Sequence, residues 1–269
     1  MRRRLVRTGT VMAVAAVAGV LAGCGSAGGA APTSAGPPVP GATPRSTGRI
    51  VVFAAASLTE VFTGLGRRFE AANPGTSIRF DFGPSSALAT QITEGAPADV
   101  FASASEQNMA TVVRGGAAAA SAVFARNVME VVVPPDNPAG VTALADLARP
   151  AVKVALCQPE VPCGVAAAAV LANAAVAVRP VTLEADVKAT LAKVELGEVD
   201  AGLVYVTDVR AAGPKVVGVP IPARFNAATR YPIAALTAAK NADLARAFVG
   251  YVRSGDGARV LAAAGFQPP

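Results

Sequence analysis

The segment IVVFAAASLTEVF, residues 50–62, places a strand-like run directly before a helix-like one. The run Ile50–Phe53 is β-branched or aromatic, as in a buried strand, whereas the apolar residues from Leu58 to Leu65 recur with helical spacing. Between them lie three alanines and Ser57. Small residues let a backbone approach a ligand closely, and the first turn of a helix has N–H groups without partners in the helix. We therefore expect a cradle for an oxyanion, with the Ser57 hydroxyl and N–H as donors.

The same joint recurs farther along the chain. The segments 78–93 and 152–174 each read as a strand, a short turn and a helix start. The segment 182–205 starts a helix near Asp186, and the strand that follows ends at Tyr205. Helix N-termini carry partial positive charge as well as free N–H groups, so each joint is a candidate anion contact.

Each joint also has a plainer interpretation. Serine before a helix is most often an N-cap, and alanine-rich turns often do no more than pack tightly. The alternation of short strands with helices predicts an α/β fold, in which ligands lie at the C-terminal ends of the strands. The binding interpretation gains over the plain one only if the joints converge at one place.

Composition excludes several classes of function. The 269 residues contain no His, which removes His-based triads, His general bases and His metal ligands. The formal charge of +6 falls to +2 without the four arginines that precede residue 24. The other basic residues are scattered and lack interleaved aromatics, so no nucleic-acid partner is expected.

The first 24 residues are typical of an export signal. A basic start, MRRRLVRTGT, precedes a twelve-residue apolar run that ends in Leu21-Ala22-Gly23-Cys24. The quartet L-A-G-C resembles the bacterial lipobox, which implies that 1–23 is a cleaved signal peptide and that Cys24 is lipidated. An ordinary signal peptide, an uncleaved anchor and a twin-arginine route remain open. Residues 25–48 are almost entirely Gly, Ala, Pro, Ser and Thr, which predicts a flexible linker. The segment 24–48 is therefore expected to consist of the lipidated cysteine and this linker.

From residue 49 onward the chain resembles the molybdate-binding proteins of bacterial ABC importers. Five segments carry the resemblance: VVFAAASLTEVF (51–62), FGPSSALATQITEGAPADVFASAS (82–105), PEVPCG (159–164), EADVKATLAKVELGEVDAGLVYVTD (184–208) and GFQPP (265–269). They span the whole predicted folded part. The AAAS turn separates this family from a sister tungstate family, whose corresponding turn looks like TTTS.

The resemblance implies an α/β, two-lobed periplasmic-binding-protein fold of type II. Each lobe would be a mainly parallel sheet flanked by helices, with the ligand cleft between the lobes. The chain would cross between lobes near 125–128 and 229–232. Lobe 1 is then 49–126 plus 231–269, and lobe 2 is 127–230.

The resemblance also implies a site made of neutral donors around a tetrahedral oxyanion, with no direct ligand to a metal cation. The implied donors are the hydroxyl and N–H of Ser57 and Ser85, the backbone N–H of Cys163 and Val187, and the phenol of Tyr205. A donor-only site would reject monohydrogen phosphate, whose proton needs an acceptor. We expect the nearby Asp186 to be an N-cap and Asp99 to satisfy backbone donors.

Two departures from the family pattern matter. Pro84 stands where relatives often carry Ser and removes one N–H, so Ser86 is an additional candidate for the hydroxyl contact. With Cys24 lipidated, Cys157 and Cys163 remain in an oxidising compartment, and we predict a disulfide between them. The alternative is two reduced, buried thiols.

The resulting hypothesis is an extracytoplasmic lipoprotein at the cell membrane. It would capture molybdate, and tungstate as well, and pass it to an ABC permease; it would act as a monomer, without a cofactor and not as an enzyme. A binder of sulfate or tungstate is one alternative. A serine hydrolase is another, although the chain lacks His and neither Ser57 nor Ser85 lies in a G-x-S-x-G elbow. A surface lipoprotein that binds a protein partner is the third.

Overall fold

The computed structural model of the chain describes residues 47–269. The predicted signal peptide 1–23, the predicted lipidation site Cys24 and all but the end of the linker lie outside the described residues. Among residues 47–269, no helix has the length and apolarity that crossing a membrane requires.

Ten strands and eight α-helices make up the described part of the chain. The strands are β1 (Gly48–Ala55), β2 (Thr76–Gly83), β3 (Val100–Ala102), β4 (Ala122–Asn127), β5 (Met129–Val133), β6 (Val154–Cys157), β7 (Thr182–Glu184), β8 (Ala201–Tyr205), β9 (Val217–Pro220) and β10 (Thr229–Ala235). The helices are α1 (Thr59–Ala72), α2 (Ser85–Thr93), α3 (Glu106–Arg114), α4 (Pro162–Asn173), α5 (Val187–Glu195), α6 (Val206–Ala212), α7 (Ala242–Val252) and α8 (Gly255–Ala263). A short 3-10 turn, Ala56–Leu58, joins β1 to α1.

The strands form two five-stranded sheets, with orders β2-β1-β3-β10-β4 and β7-β6-β8-β5-β9. In the first sheet only β10 runs against the other four strands. In the second sheet only β5 does so. Two sheets flanked by helices confirm the predicted α/β, two-lobed fold, with each sheet mixed because of its one reversed strand.

Each sheet has its own hydrophobic core, as expected when each lobe packs by itself. The first core is rich in aromatic side chains, and the Phe62 ring of α1 packs against Phe80, Phe124 and Phe248 at centroid distances of 5.7–6.2 Å. The second core is mainly aliphatic and is built on the fully buried valines of β5. The two sheets and their helices therefore bury largely separate apolar surfaces.

The chain passes between the two sheets twice. Only Val128 separates β4 of the first sheet from β5 of the second, and the segment after β9 returns to the first sheet as β10. The side chain of Asn226 ties the return segment to the outward one, because it accepts from the Met129 N–H at 3.0 Å and donates to the Met129 carbonyl at 2.7 Å. Near the C-terminus, Gln267 pairs with Arg126 of β4. The lobe boundaries 49–126 plus 231–269 and 127–230 stay a prediction.

A disulfide joins Cys157, the last residue of β6, to Cys163 in the first turn of α4. The turn is so tight that only glycine fits at the next position. A Cβ on Gly164 would lie 1.9 Å from the carbonyl oxygen of Gln158. The loop between β6 and α4 is therefore fixed both covalently and by close backbone contact.

The close contact at Gly164 leads to a stability prediction. We expect Gly164→Ala to lower the free energy of unfolding by about 1–3 kcal/mol, because the added methyl must displace backbone. Urea unfolding monitored by circular dichroism measures this difference. Gly250→Ala, in α7 with open space around the added Cβ, is the control and should raise stability by about 0.5–1 kcal/mol. Equal stability of Gly164→Ala and the parent chain would contradict the prediction.

Candidate functional site

A small cavity of about 20 Å³ is lined by residues from both sheets. One water needs roughly 10–15 Å³, so this space suits a small ion and is too small for a sugar or a peptide. The lining residues are Ala55, Ala56, Ser57, Gly83, Pro84, Ser85, Ala104, Val161, Pro162, Cys163, Asp186, Val187 and Tyr205. All five residues predicted as donors are thus brought together, whereas Ser86 is not part of the lining.

Ser57 lies in the 3-10 turn between β1 and α1, where it is buried. No side chain caps this turn, so Ser57 is not the N-cap of the plainer interpretation. Its hydroxyl oxygen instead lies 2.9 Å from the hydroxyl oxygen of Tyr231, on β10. The Ser57 side chain is therefore held by a residue from the return crossing.

Ser85 is the first residue of α2 and is also buried. Its hydroxyl oxygen accepts the backbone N–H of Ala104 at 2.9 Å. Since that bond uses a lone pair and leaves the hydroxyl proton free, Ser85 can donate into the cavity. The neighbouring Ser86 is only partly buried, and its carbonyl accepts the Thr90 hydroxyl.

Two helix N-termini of the second sheet complete the backbone donors. Helix α4 starts with Pro162, which has no N–H, and no side chain caps it, so Cys163 presents one of its first N–H groups. At α5 the Asp186 carboxylate accepts from the N–H groups of Lys188 and Ala189, at 2.8 and 3.0 Å. Asp186 is thus the N-cap that we expected, and its cap leaves the N–H of Val187 free.

Tyr205 ends β8 with its side chain almost fully buried. Its hydroxyl makes no hydrogen bond of good geometry within residues 47–269, although the hydroxyls of Thr229 and Tyr231 lie near it. Burial raises the pKa of the phenol well above its ordinary value, which the nearby hydroxyls of Thr229 and Tyr231 offset only in part. The group therefore stays protonated, and an unpartnered buried hydroxyl costs about 1–3 kcal/mol until an acceptor reaches it.

A buried polar network behind Ser57 was missed by the sequence analysis. The Asn127 amide donates to the Thr207 hydroxyl at 2.8 Å and to the Tyr231 hydroxyl oxygen at 3.5 Å. With its oxygen accepting from Asn127, Tyr231 can donate to the oxygen of Ser57 and leave the Ser57 proton for the cavity. The only signal in the sequence was polar residues within apolar strands near the two crossings.

Asp186, whose carboxylate caps α5, is the one acidic residue that lines the cavity among the described residues. Asp99 accepts backbone N–H groups from Val51 at 2.7 Å and Lys240 at 2.6 Å, as we expected. Glu184 accepts the Thr182 hydroxyl at 2.7 Å and does not line the cavity. Among the described residues, no three His, Cys, Asp or Glu side chains cluster as a cation site would require.

Asp208, in α6, holds Tyr205 in place from behind. One carboxylate oxygen accepts the Tyr205 N–H at 3.1 Å, and the other lies 3.0 Å from the Lys188 ammonium. Asp208 is fully buried. Burial raises the pKa of its carboxyl from 3.8 to about 6, against the opposing effect of Lys188.

Comparison with known proteins gives consistent results. A family model described as bacterial extracellular solute-binding protein matches residues 50–267. The molybdate-binding protein ModA of Mycobacterium tuberculosis is 43% identical over 263 residues, which cover 97% of each chain. The alignment therefore covers nearly the whole of both sequences.

Solved structures share the fold. The periplasmic molybdate-binding protein of Azotobacter vinelandii matches with a TM-score of 0.72 at 21% identity, over 82% of this chain and 99% of that one. The sulfate-binding protein SubI of Mycobacterium tuberculosis matches with the same TM-score at 20% identity, over 82% and 86%. At such identities the likeness shows the architecture and does not distinguish one oxyanion from another.

The buried carboxyl of Asp208 leads to a prediction about pH. Because its pKa is raised on folding, the folded chain holds a proton that the unfolded chain releases between about pH 4 and pH 6. The stability contributed by this group is full below about pH 4 and is lost as the pH rises through about 6. Relative to Asp208→Asn, the parent chain should lose up to about 2–3 kcal/mol of unfolding free energy over this range.

Urea unfolding at pH 4, 5, 6 and 7 measures the difference between the two chains. Asp136→Asn, which removes an exposed carboxylate, serves as the matched control. If the unfolding free energy of the parent minus that of Asp208→Asn stays constant or increases with rising pH, the assignment is wrong.

Proposed function

This chain belongs to the family of bacterial extracellular solute-binding proteins, and we propose that it captures molybdate and delivers it to the permease of an ABC importer. The proposal is supported by the identity to the mycobacterial molybdate-binding proteins over nearly the full length. The chemistry of the cavity supports it as well, and this support does not depend on the comparisons.

The observation that carries the proposal is the buried Tyr205 hydroxyl in a cavity whose other polar groups, apart from the capping carboxylate of Asp186, are donors. The hydroxyl of Ser85 has a proton free, and that of Ser57 has one when Tyr231 is the donor of their shared hydrogen bond. The N–H groups of Cys163 and Val187 lie at helix starts. Molybdate at neutral pH is a fully deprotonated dianion, so each of its oxygens accepts hydrogen bonds. A tetrahedral acceptor satisfies all of these donors at once.

The same chemistry sets the specificity. Monohydrogen phosphate brings a proton that needs an acceptor, and the one carboxylate in the lining, Asp186, already caps α5. Phosphate would therefore bind with an unmet hydrogen bond. Tungstate has the shape and charge of molybdate and should bind as well, whereas the smaller sulfate cannot reach every donor.

Capture proceeds by closure of the cleft. Ser57 and Ser85 follow strands of the first sheet, whereas Cys163 and Val187 begin helices that follow strands of the second. Tyr205 ends β8 of the second sheet, so one anion in the cavity contacts both lobes. Ligand contacts made only when the lobes are together favour the closed state over an open one. The closed form is the one that we propose docks on the permease and releases the anion.

The proposal includes the remaining features of the sequence-based hypothesis. Binding consumes no residue, so we propose no enzymatic activity and no cofactor. The L-A-G-C motif and the tether support lipid anchoring through Cys24 on the extracytoplasmic side of the cell membrane. A single chain supplies every donor, so the protein is proposed to act as a monomer.

Calorimetric titration of the full chain with molybdate, tungstate, sulfate and phosphate tests the proposal. We expect tight binding of molybdate and tungstate, with sulfate and phosphate much weaker. Preferential binding of sulfate or phosphate would overturn the choice of ligand, and the absence of binding by all four anions would overturn the proposal as a whole.

Two pairs of variants test the named donors. Tyr205→Phe and Ser85→Ala each remove one hydrogen bond to a charged ligand, worth about 1.5–3 kcal/mol, and should weaken molybdate binding roughly 10- to 150-fold. The matched controls are Tyr251→Phe, outside the cavity, and Ser86→Ala. Unchanged affinity in Tyr205→Phe would contradict the site, and a loss in Ser86→Ala would show that Ser86 takes over the contact.

A further inference from the structure

The Lys188 side chain bridges the two lobes. Its ammonium lies 3.0 Å from the Asp208 carboxylate in its own lobe and 2.7 Å from the Glu60 carboxylate of α1 in the other lobe. The Asp208 side chain is fully buried, whereas the Glu60 side chain is 54% exposed. The Lys188 ammonium is thus paired with a buried carboxylate in its own lobe and with a more exposed carboxylate in the other lobe.

The positions of this pair are linked to the ligand site through the backbone. Lys188 directly follows Val187, the proposed N–H donor of α5, and Glu60 lies three residues after Ser57. The ion pair therefore connects the segment that contains Ser57 in one lobe to the segment that contains Val187 in the other. Both the anion contacts and the ion pair require the cleft to be closed, so they stabilise the same state.

We propose that Glu60 and Lys188 form a latch between the lobes, anchored by Asp208, that slows release of the bound oxyanion. The inference rests on the proposed function for its ligand. Neither side chain lines the cavity, so both act as positioning residues and not as ligand donors.

The sign of one substitution separates the latch from simple electrostatics. Glu60 is a negative charge in the first turn of α1, close along the chain to the donor Ser57. If it acted only through its charge, its removal would relieve repulsion and strengthen the binding of a dianion. If it acts as a latch, its removal weakens the closed state and speeds dissociation.

Stopped-flow dissociation of molybdate from the full chain tests the latch. Glu60→Gln should raise the dissociation rate about two- to fivefold, the range for a partly exposed ion pair, with a smaller effect at high salt. The matched control is Glu198→Gln. It removes the ion-pair partner of Lys193, which lies on α5 like Lys188, but this pair lies within one lobe, so the dissociation rate should not change. In a Lys188→Met background, Glu60→Gln should give no further increase.

An unchanged or slower dissociation from Glu60→Gln would overturn the latch. Hydrogen exchange of the full chain without any anion provides a test that does not need the ligand. In Glu60→Gln, amides of residues 57–60 and 187–190 should exchange faster than in the parent and in Glu198→Gln, because the cleft opens more often. If the parent binds no molybdate, the proposed function is wrong. Equal hydrogen exchange in the parent, Glu60→Gln and Glu198→Gln would overturn the latch, whether or not molybdate binds.

Discussion

Hydrogen-bond donors without acceptors are the constraint on which the rest of this structure depends. Folding concentrates them in one place: two serine hydroxyls, two helix starts and one buried phenol. Each would cost free energy if left buried and unmet. The small residues of the lining allow an acceptor to approach, and the acids nearby are turned to capping or to backbone contacts. The fold stays poised for a small, fully deprotonated ion.

Several of the side chains that connect the two lobes are polar. The first core is aromatic and the second aliphatic, and the buried side chains that join the crossings are hydroxyls and an amide. Apolar contacts are also present, because Ala56 comes from the turn after β1 yet packs into the second core, and the rings of Tyr205 and Tyr231 lie 6.2 Å apart. In the proposed mechanism, the anion and the Glu60–Lys188 pair favour the closed state.

Much of this arrangement could be predicted from local patterns. The strand expected at 50–53 is the centre of β1, and the helix expected after it begins at Thr59, one residue late, because Ala56–Leu58 forms a 3-10 turn. The N-cap at Asp186 follows from its place before a helix. The Tyr231–Ser57 contact could not be predicted, since it joins residues 174 positions apart and leaves no periodic trace. The reach of Lys188 to the other lobe was hidden for the same reason.

Both ends of the described range belong to one lobe. The chain enters through β1, and its last residues return to β4 of the same sheet through the pairing of Gln267 with Arg126. Within residues 47–269, the backbone connects the second lobe to the first through the two crossing segments only. In the proposed lipid-anchored form, the anchor would act on the first lobe alone, and the second lobe would be the one that moves when the cleft opens.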